Sequence, residues 1–295
     1  MLNSIQEIID YAVEKGKTFA EIMISEEMSL KGISRDEVRA LMKQNIDVMR
    51  EAVEKGTTGE GVESVTGYTG QDAVKLATYN EQEHALSGYE MVEALKGAIA
   101  TNEVNAAMWI ICATPTAGSS GTIPGILFKL EKSHHLTTDQ MIDFLFAAAL
   151  CGKVIANNAS VAGAIGGQAE VGSASAIAAA AAVEVFGGSP QASGHAMALA
   201  ISNLLGLVCD PVAGLVEIPC VMRNAIGSGN GLISADLALA GVESKIPVDE
   251  VIEAMDKVGR NLPASLRETG IGGLAGTPTG EEIKRKIFGQ SRVNS

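Results

Sequence analysis

The chain has 295 residues, 46% of them hydrophobic and 19% charged, a composition that can bury a large core and is far from that of a disordered polymer. Its net charge of -13 and pI near 4.8 repel a phosphate backbone, so nucleic acid is excluded as an expected partner. Glu7, Asp10 and Glu14 interrupt the amino-terminal MLNSIQEIIDYAVEKGK, so neither a secretory leader nor a membrane span is expected and the cytoplasm is the expected compartment; four cysteines in that setting point to metal binding, catalysis or core packing rather than disulfides.

Helix signals follow in chain order. Ser4–Glu7 and Ser34–Glu37 each read S-x-x-E ahead of an apolar pattern, the spacing in which serine caps a backbone N–H and glutamate reaches back. After Ser34, the residues Val38, Leu41, Met42, Ile46, Met49 and Val53 recur at steps of three and four, which predicts one amphipathic helix stopped by Gly56. Residues 1–57 are expected to form an N-terminal helical segment of a single catalytic domain spanning 1–295. The stretch TGYTGQDAVKL, 66–76, predicts a turn in which Asp72 and Lys75 are polar contacts of a site or plain surface charges. VNAAMWIICA, 104–113, is the one stretch that suggests a buried strand. Further helices are predicted from about Thr138 to Ala156, Pro190 to Leu205 with Pro190 in the first turn, Val248 to Gly259 and Gly280 to Phe288.

AEVGSASAIAAAAAVEVFGG, 169–188, reads as a central helix, because alanine is the best helix former and lets neighbouring backbones approach closely. Its apolar run falls far short of the roughly 20 residues a membrane span needs. The expected fold is all-α: a compact bundle of many helices around this one, with glycine-rich functional loops. Aromatic residues make up only 4%, so Ala, Val, Ile, Leu and Met must fill the core.

Three regions suit chemistry. In CATPTAGSSGTIPG, 112–125, Gly118 and Gly121 permit tight turns while Thr116, Ser119 and Ser120 offer hydroxyls beside backbone N–H groups. Such a loop suits a carboxylate or phosphate, and an ordinary turn is the alternative; no Walker signature is present. In NLLGLVCDPVAGLVEIPCVMRN, 203–224, Cys209 and Cys220 stand eleven positions apart, with Asp210, Arg223 and Asn224 nearby. Pro211 and Pro219 disfavour regular helix and predict a loop on which both sulfurs turn toward one point, as metal ligands do; two buried structural cysteines are the alternative. Zinc ordinarily takes a closer cysteine pair with further ligands nearby, whereas widely separated thiolates suit an iron–sulfur cluster. The third region, VAGAIGGQAEVGSASA, 161–176, joins glycines to Glu170 and the alanine helix. For a general base, His84, His134, His135 and His195 are candidates by side-chain chemistry, and their spacing selects none.

Taken together, CATPTAGSSGTIPG, GGQAEVGSASA, NLLGLVCDPVAGLVEIPC and ETGIGGLAGTPTG closely resemble, in order and spacing, the alpha chain of the bacterial iron–sulfur-dependent L-serine dehydratases, over nearly the whole chain. The resemblance implies deamination of L-serine to pyruvate and ammonia without pyridoxal phosphate. It implies a 4Fe–4S cluster on three cysteines, Cys209 and Cys220 among them, with one iron left open for substrate. It also implies that the PTAGSSG loop holds the substrate carboxylate and that a separate beta chain is the partner. The third cysteine is implied after the second glycine of the third region, yet Gly166 and Gly167 run directly into Gln168. Cys112 and Cys151 do not stand at the matching position. A residue restored at this junction would stand 42 positions before the first cysteine of the pair. Because the flanks are intact, the gene is expected to carry a cysteine codon or an in-frame TGA for selenocysteine here; two glycine codons followed directly by a glutamine codon would establish a real deletion. The competing functions are a related L-cysteine desulfidase-type lyase, with a thiol as leaving group, and a cluster-free, non-catalytic homologue.

Overall fold

The computed structural model describes residues 2–82 and 85–289, which leaves His84 outside the described residues. Twelve helices follow one another: α1 (Ile5–Lys15), α2 (Phe19–Lys31), α3 (Arg35–Thr57), α4 (Asp72–Glu81), α5 (Tyr89–Ala106), α6 (Thr122–His134), α7 (Thr138–Asn158), α8 (Ser173–Val185), α9 (Pro190–Asn203), α10 (Cys220–Leu239), α11 (Val248–Asn261) and α12 (Pro278–Phe288). Among the described residues there is no strand, only isolated bridges pairing Glu63 with Gly70 and Cys209 with Arg267, so the fold is all-α. None of these helices is long and apolar enough to cross a membrane.

The alanine-rich helix is central. Every residue from Ser173 to Val183 is buried, and α7, α9 and α10 pack around α8. Short side chains let these neighbours come close, so burial of many thin helices replaces aromatic bulk. Serine caps behave as their spacing predicts: Ser34 and Glu37 complete a capping box on α3, and the Ser4 hydroxyl accepts the Glu7 amide. The same signal at Thr18 and Glu21 opens α2, a helix not expected from the apolar pattern.

Two expectations are corrected. Gly56 does not stop α3; it is buried where a Cβ would come within 2.7 Å of the Ala100 backbone on α5, and the helix ends one residue later. VNAAMWIICA is not a strand. Its first residues close α5, Met108 turns the chain with a left-handed φ of 63°, and Met108, Trp109 and Ile110 are exposed. Helix continuation from buried Val104 wins over the apolar run because α10 and α6 already cover α5 on its other faces.

Glu184, near the end of α8, reaches the start of α2, where it accepts the amides of Phe19 at 2.5 Å and Ala20 at 3.0 Å. Burial raises its carboxyl from 4.5 to about 7, an effect the two amides offset only in part. The native state therefore keeps a proton that the unfolded chain releases, and this group makes stability fall as pH rises from 4.5 to about 7. Glu184→Gln is expected to flatten that fall. The check is the thermal midpoint of both proteins at about pH 5 and about pH 7; equal slopes would remove Glu184 from the account.

Candidate active site

Five segments meet just ahead of α8: the loop 112–121, the turn 162–172, the stretch 207–211 after α9, the start of α10, and the turn 266–274 after α11. Gln168–Gly172 form a single π-helical turn leading into α8, a feature frequent at functional sites. This turn presents Glu170. Its Oε1 accepts the Thr116 hydroxyl at 2.6 Å, and its Oε2 lies 3.8 Å from Cys209 Sγ.

Cys209 is only 4% exposed. Its N–H donates to the Leu266 carbonyl at 2.9 Å, and its own carbonyl accepts the Glu268 amide at 2.6 Å. That parallel bridge fixes Glu268 beside the sulfur, with a left-handed φ of 62° that is uncommon outside glycine. One ligand atom each from Glu170, Cys209 and Glu268 lies within 4.8 Å of the others. Gly163 leaves the space before them open, since a Cβ there would come within 2.8 Å of both the Cys209 sulfur and a Glu268 oxygen.

Asp210 holds the neighbourhood together. One carboxylate oxygen accepts Arg223 Nη1 at 2.7 Å and the other accepts the Leu274 amide at 2.6 Å, while Arg223 also donates to the Val208 carbonyl. Gly273, at φ 61°, lies against this carboxylate where no side chain fits. Asn224, fully buried on α10, is the second tie. Its Oδ1 accepts the amides of Gly121 and Thr122 at 3.0 and 3.1 Å, and its Nδ2 donates to the carbonyls of Gly118 and Cys220.

The electrostatics at the junction favour neutral thiols. Burial, reinforced by Glu170, pushes Cys220 up to about 12, and burial with Glu170 and Cys220 raises Cys209 further. Glu170 is itself raised above the usual carboxylate range by burial, with the Thr116 hydroxyl opposing and the charge of Glu268 adding to the shift.

The fold brings together only part of the predicted set. Cys209 lies on the expected loop, whereas Cys220 is the first residue of α10 with Pro219 at its N-cap. Proline is tolerated at a helix start because the N–H it lacks has no intrahelical partner there, so Pro219 precedes the helix without preventing it. In the glycine loop, Thr116 and Gly118 face Glu170, and a Cβ on Gly118 would come within 2.9 Å of a Glu170 oxygen. Ser119, Ser120 and Gly121 are buried in the scaffold: Ser119 Oγ donates to the Thr114 carbonyl, Ser120 Oγ to Asn102 Oδ1, and the Gly121 amide to Asn224.

Where the third cysteine is implied, no soft donor stands. A Cβ at Gly167 would lie 2.6 Å from the Val208 carbonyl. Gln168 is fully buried, its Nε2 donating to the Met255 carbonyl at 2.7 Å and its Oε1 accepting the Gly206 amide at 2.7 Å. Cys112 instead lines an apolar cavity of about 540 Å³ beside Met42 and Met49, and Cys151 is buried in α7. His134 packs edge-on against Phe186, His135 closes α6, and His195 lies on α9 near Glu243. Asp72 and Lys75 pair with each other at the surface. Thr66 and Thr69, in the same segment, donate to Glu217, three residues before Cys220.

Sequence reasoning passed over Glu170 as a functional group and missed Glu268. Glu170 stood inside a quoted motif, but only the fold shows that Glu268 returns to Cys209.

Comparison with known proteins identifies the family. Residues 14–275 match the family described as serine dehydratase alpha chain. The chain is similar to the probable L-serine dehydratase alpha chain of Bacillus subtilis (strain 168), at 54% identity over 98% of this chain and 96% of that one. It is 45% identical to the L-serine dehydratase alpha chain of Peptoniphilus asaccharolyticus over 98% of this chain and 99% of the relative. Escherichia coli (strain K12) L-serine dehydratase 2 is 32% identical over 92% of this chain, which spans only 61% of that longer protein. The matched length and the identities place the chain in the serine dehydratase alpha chain family.

Proposed function

We propose that this chain deaminates L-serine to pyruvate and ammonia, with the junction of Glu170, Cys209 and Glu268 as its active site. The observation that supports this most is convergence: in a member of this family, a buried thiol and two carboxylates from three distant segments approach within 4.8 Å. Two of the relatives are themselves called alpha chains, and a longer relative extends well beyond the matched part. A separate beta chain is the proposed partner that supplies the remainder. The main hydrophobic core, beside two small clusters, draws residues from Ile5 to Met255, which supports a single catalytic domain with residues 1–57 as its N-terminal helical segment.

Elimination of water from serine needs a base for the α-proton, an acid for the departing hydroxyl and a hold on the carboxylate. Glu268, exposed at the mouth of the site, is the proposed base. Burial raises the Glu170 carboxyl above its ordinary value, with the Thr116 hydroxyl opposing, and this shift toward the acid form makes it the proposed donor to the β-hydroxyl, which leaves as water. Two carboxyl groups in unlike environments thus divide the two proton transfers. The substrate carboxylate falls to Thr116 and the amides of Ala117 and Gly118, which open a short 3-10 turn and lie outside its internal hydrogen bonds. Arg223 is committed to Asp210, whereas Arg267, opposite Cys209 in the bridge, has a buried Nε with no partner among the described residues; it is the proposed countercharge. The resulting enamine tautomerises to an imine, which water hydrolyses to pyruvate and ammonia.

The resemblance implies a 4Fe–4S cluster and no pyridoxal phosphate. Cys209 and Cys220 are the proposed thiolates for it. The third position is taken by the Gly167 backbone and the buried amide of Gln168, so the residues present do not make the three-cysteine set.

The test is pyruvate release by the chain co-purified with its beta chain, from L-serine and from L-cysteine. Serine is expected to be the faster substrate by at least about tenfold. Faster release from cysteine would favour the desulfidase reading, and none from either would favour a non-catalytic homologue.

A further inference from the structure

Whether the turn 116–118 can hold a carboxylate depends on which way its peptides face. In a trans peptide the carbonyl and the N–H point to opposite sides, so a carbonyl tied down on one side presents the next residue's amide on the other. The peptide bonds from Thr116 to Ser119 are all trans, since the cis bonds among the described residues precede Pro115 and Pro219. We propose that Asn224 and Asn105 are positioning residues: they tie the Gly118 and Ala117 carbonyls to α10 and α5, and so keep the amides of Ala117 and Gly118 turned toward the substrate carboxylate. This role rests on the deaminase reading, which supplies the carboxylate.

Each carbonyl of the turn is taken. That of Ala117 accepts Asn105 Nδ2 at 3.2 Å and the Ser120 amide at 3.3 Å, which fixes the peptide whose N–H belongs to Gly118. Asn105 therefore acts on the Gly118 amide directly. The Gly118 carbonyl accepts Asn224 Nδ2 at 2.7 Å and Asn102 Nδ2 at 3.3 Å, and the N–H of that same peptide, on Ser119, donates to the Thr116 carbonyl at 3.3 Å. The Thr116 carbonyl shares its peptide with the Ala117 amide, so Asn224 acts on that amide through one intervening peptide. Two N–H groups left facing one point make a seat for an anion, whereas a carbonyl turned there would repel it.

An asparagine is suited to this place because one end accepts and the other donates. Asn224 Oδ1 takes the amides of Gly121 and Thr122 and the Thr122 hydroxyl, all within 3.1 Å, and so caps α6. Its Nδ2 serves the carbonyls of Gly118 and Cys220. Aspartate has the same shape, keeps the accepting end and loses the donating one, so the cap and the hold on the loop can be separated. Neither residue announced this role in the sequence. Asn224 reaches a loop 103 positions away, and Asn105 lies in the stretch that reads locally as a strand.

The experiment compares Asn224→Asp and Asn105→Ala with the parent chain, each co-purified with its beta chain, by steady-state kinetics on L-serine and by hydrogen exchange without substrate. KM is expected to rise by at least about tenfold in Asn224→Asp and about threefold in Asn105→Ala, with kcat within about threefold of wild type in both, the pattern of a lost hold on substrate. The Ser119 amide should exchange at least about tenfold faster in Asn224→Asp while α8 and α10 keep their protection. Unchanged KM in both variants would overturn the proposal, as would a fall in kcat without a rise in KM. Asn105 is only half-buried, so its truncation carries the kinetic test alone should Asn224→Asp fail to fold. Absence of serine turnover in the parent protein would instead remove the deaminase reading. Exchange then decides: a faster Ser119 amide in Asn224→Asp would uphold the hold on the loop, and an unchanged one would overturn it.

Discussion

Glu268→Gln is expected to lower kcat for serine deamination by about 10²–10⁴-fold, the range lost when a positioned general base is removed. The fold should be unaffected. Glu268 is exposed, its side chain makes no hydrogen bond among the described residues, and the backbone bridge to Cys209 is retained in the variant. Because the amide keeps the shape of the side chain, KM should change far less than kcat. A variant with nearly wild-type kcat would move the base elsewhere, and Glu170 would be the next residue to replace.

Asp210→Ala is expected to cost about 3–5 kcal/mol in stability, because it leaves the Arg223 guanidinium without its partner in a largely buried setting. The Leu274 amide loses its acceptor in the same step, so the turn carrying Glu268 loosens from the cysteine segment. Asp210→Asn, which keeps an acceptor oxygen, should lose less. Urea denaturation with circular dichroism checks both variants, and a loss below about 1 kcal/mol for the alanine variant would show that Arg223 and Leu274 find other partners.

How much of this was legible in the sequence follows the range of each interaction. Ser34 and Glu37 lie three residues apart, and their box forms as written. Thr18 and Glu21 carried the same signal and passed unread because the apolar pattern of α2 is weak. Gly56 and Met108 show the limit of local rules: the glycine serves a crossing with Ala100, and the apolar run after Met108 lies at the surface. Neither fact is encoded within a few residues. At the site, Cys209, Cys220 and the Thr116 loop stood out by residue type, and glycines marked where the backbone must turn. Glu268 did not, since its role depends on a backbone hydrogen bond to Cys209 across 59 positions and on a left-handed turn that a glutamate seldom adopts. Ser119 and Ser120 had the right chemistry and the wrong address, because their hydroxyls were needed to hold the loop itself.

The most direct test of the central claim is a pair of cysteine variants assayed for pyruvate release from L-serine, in protein co-purified with the beta chain. Cys209→Ser removes the sulfur at the convergence of Glu170 and Glu268, whereas Cys112→Ser alters the thiol of the separate apolar cavity. Because Cys209 Sγ sets the position of Glu170 Oε2 at 3.8 Å, turnover is predicted to fall by at least about tenfold in Cys209→Ser and to stay within about threefold of wild type in Cys112→Ser, with both proteins retaining their helical signal. Full activity in Cys209→Ser, or its loss in Cys112→Ser alone, would place the chemistry outside this junction.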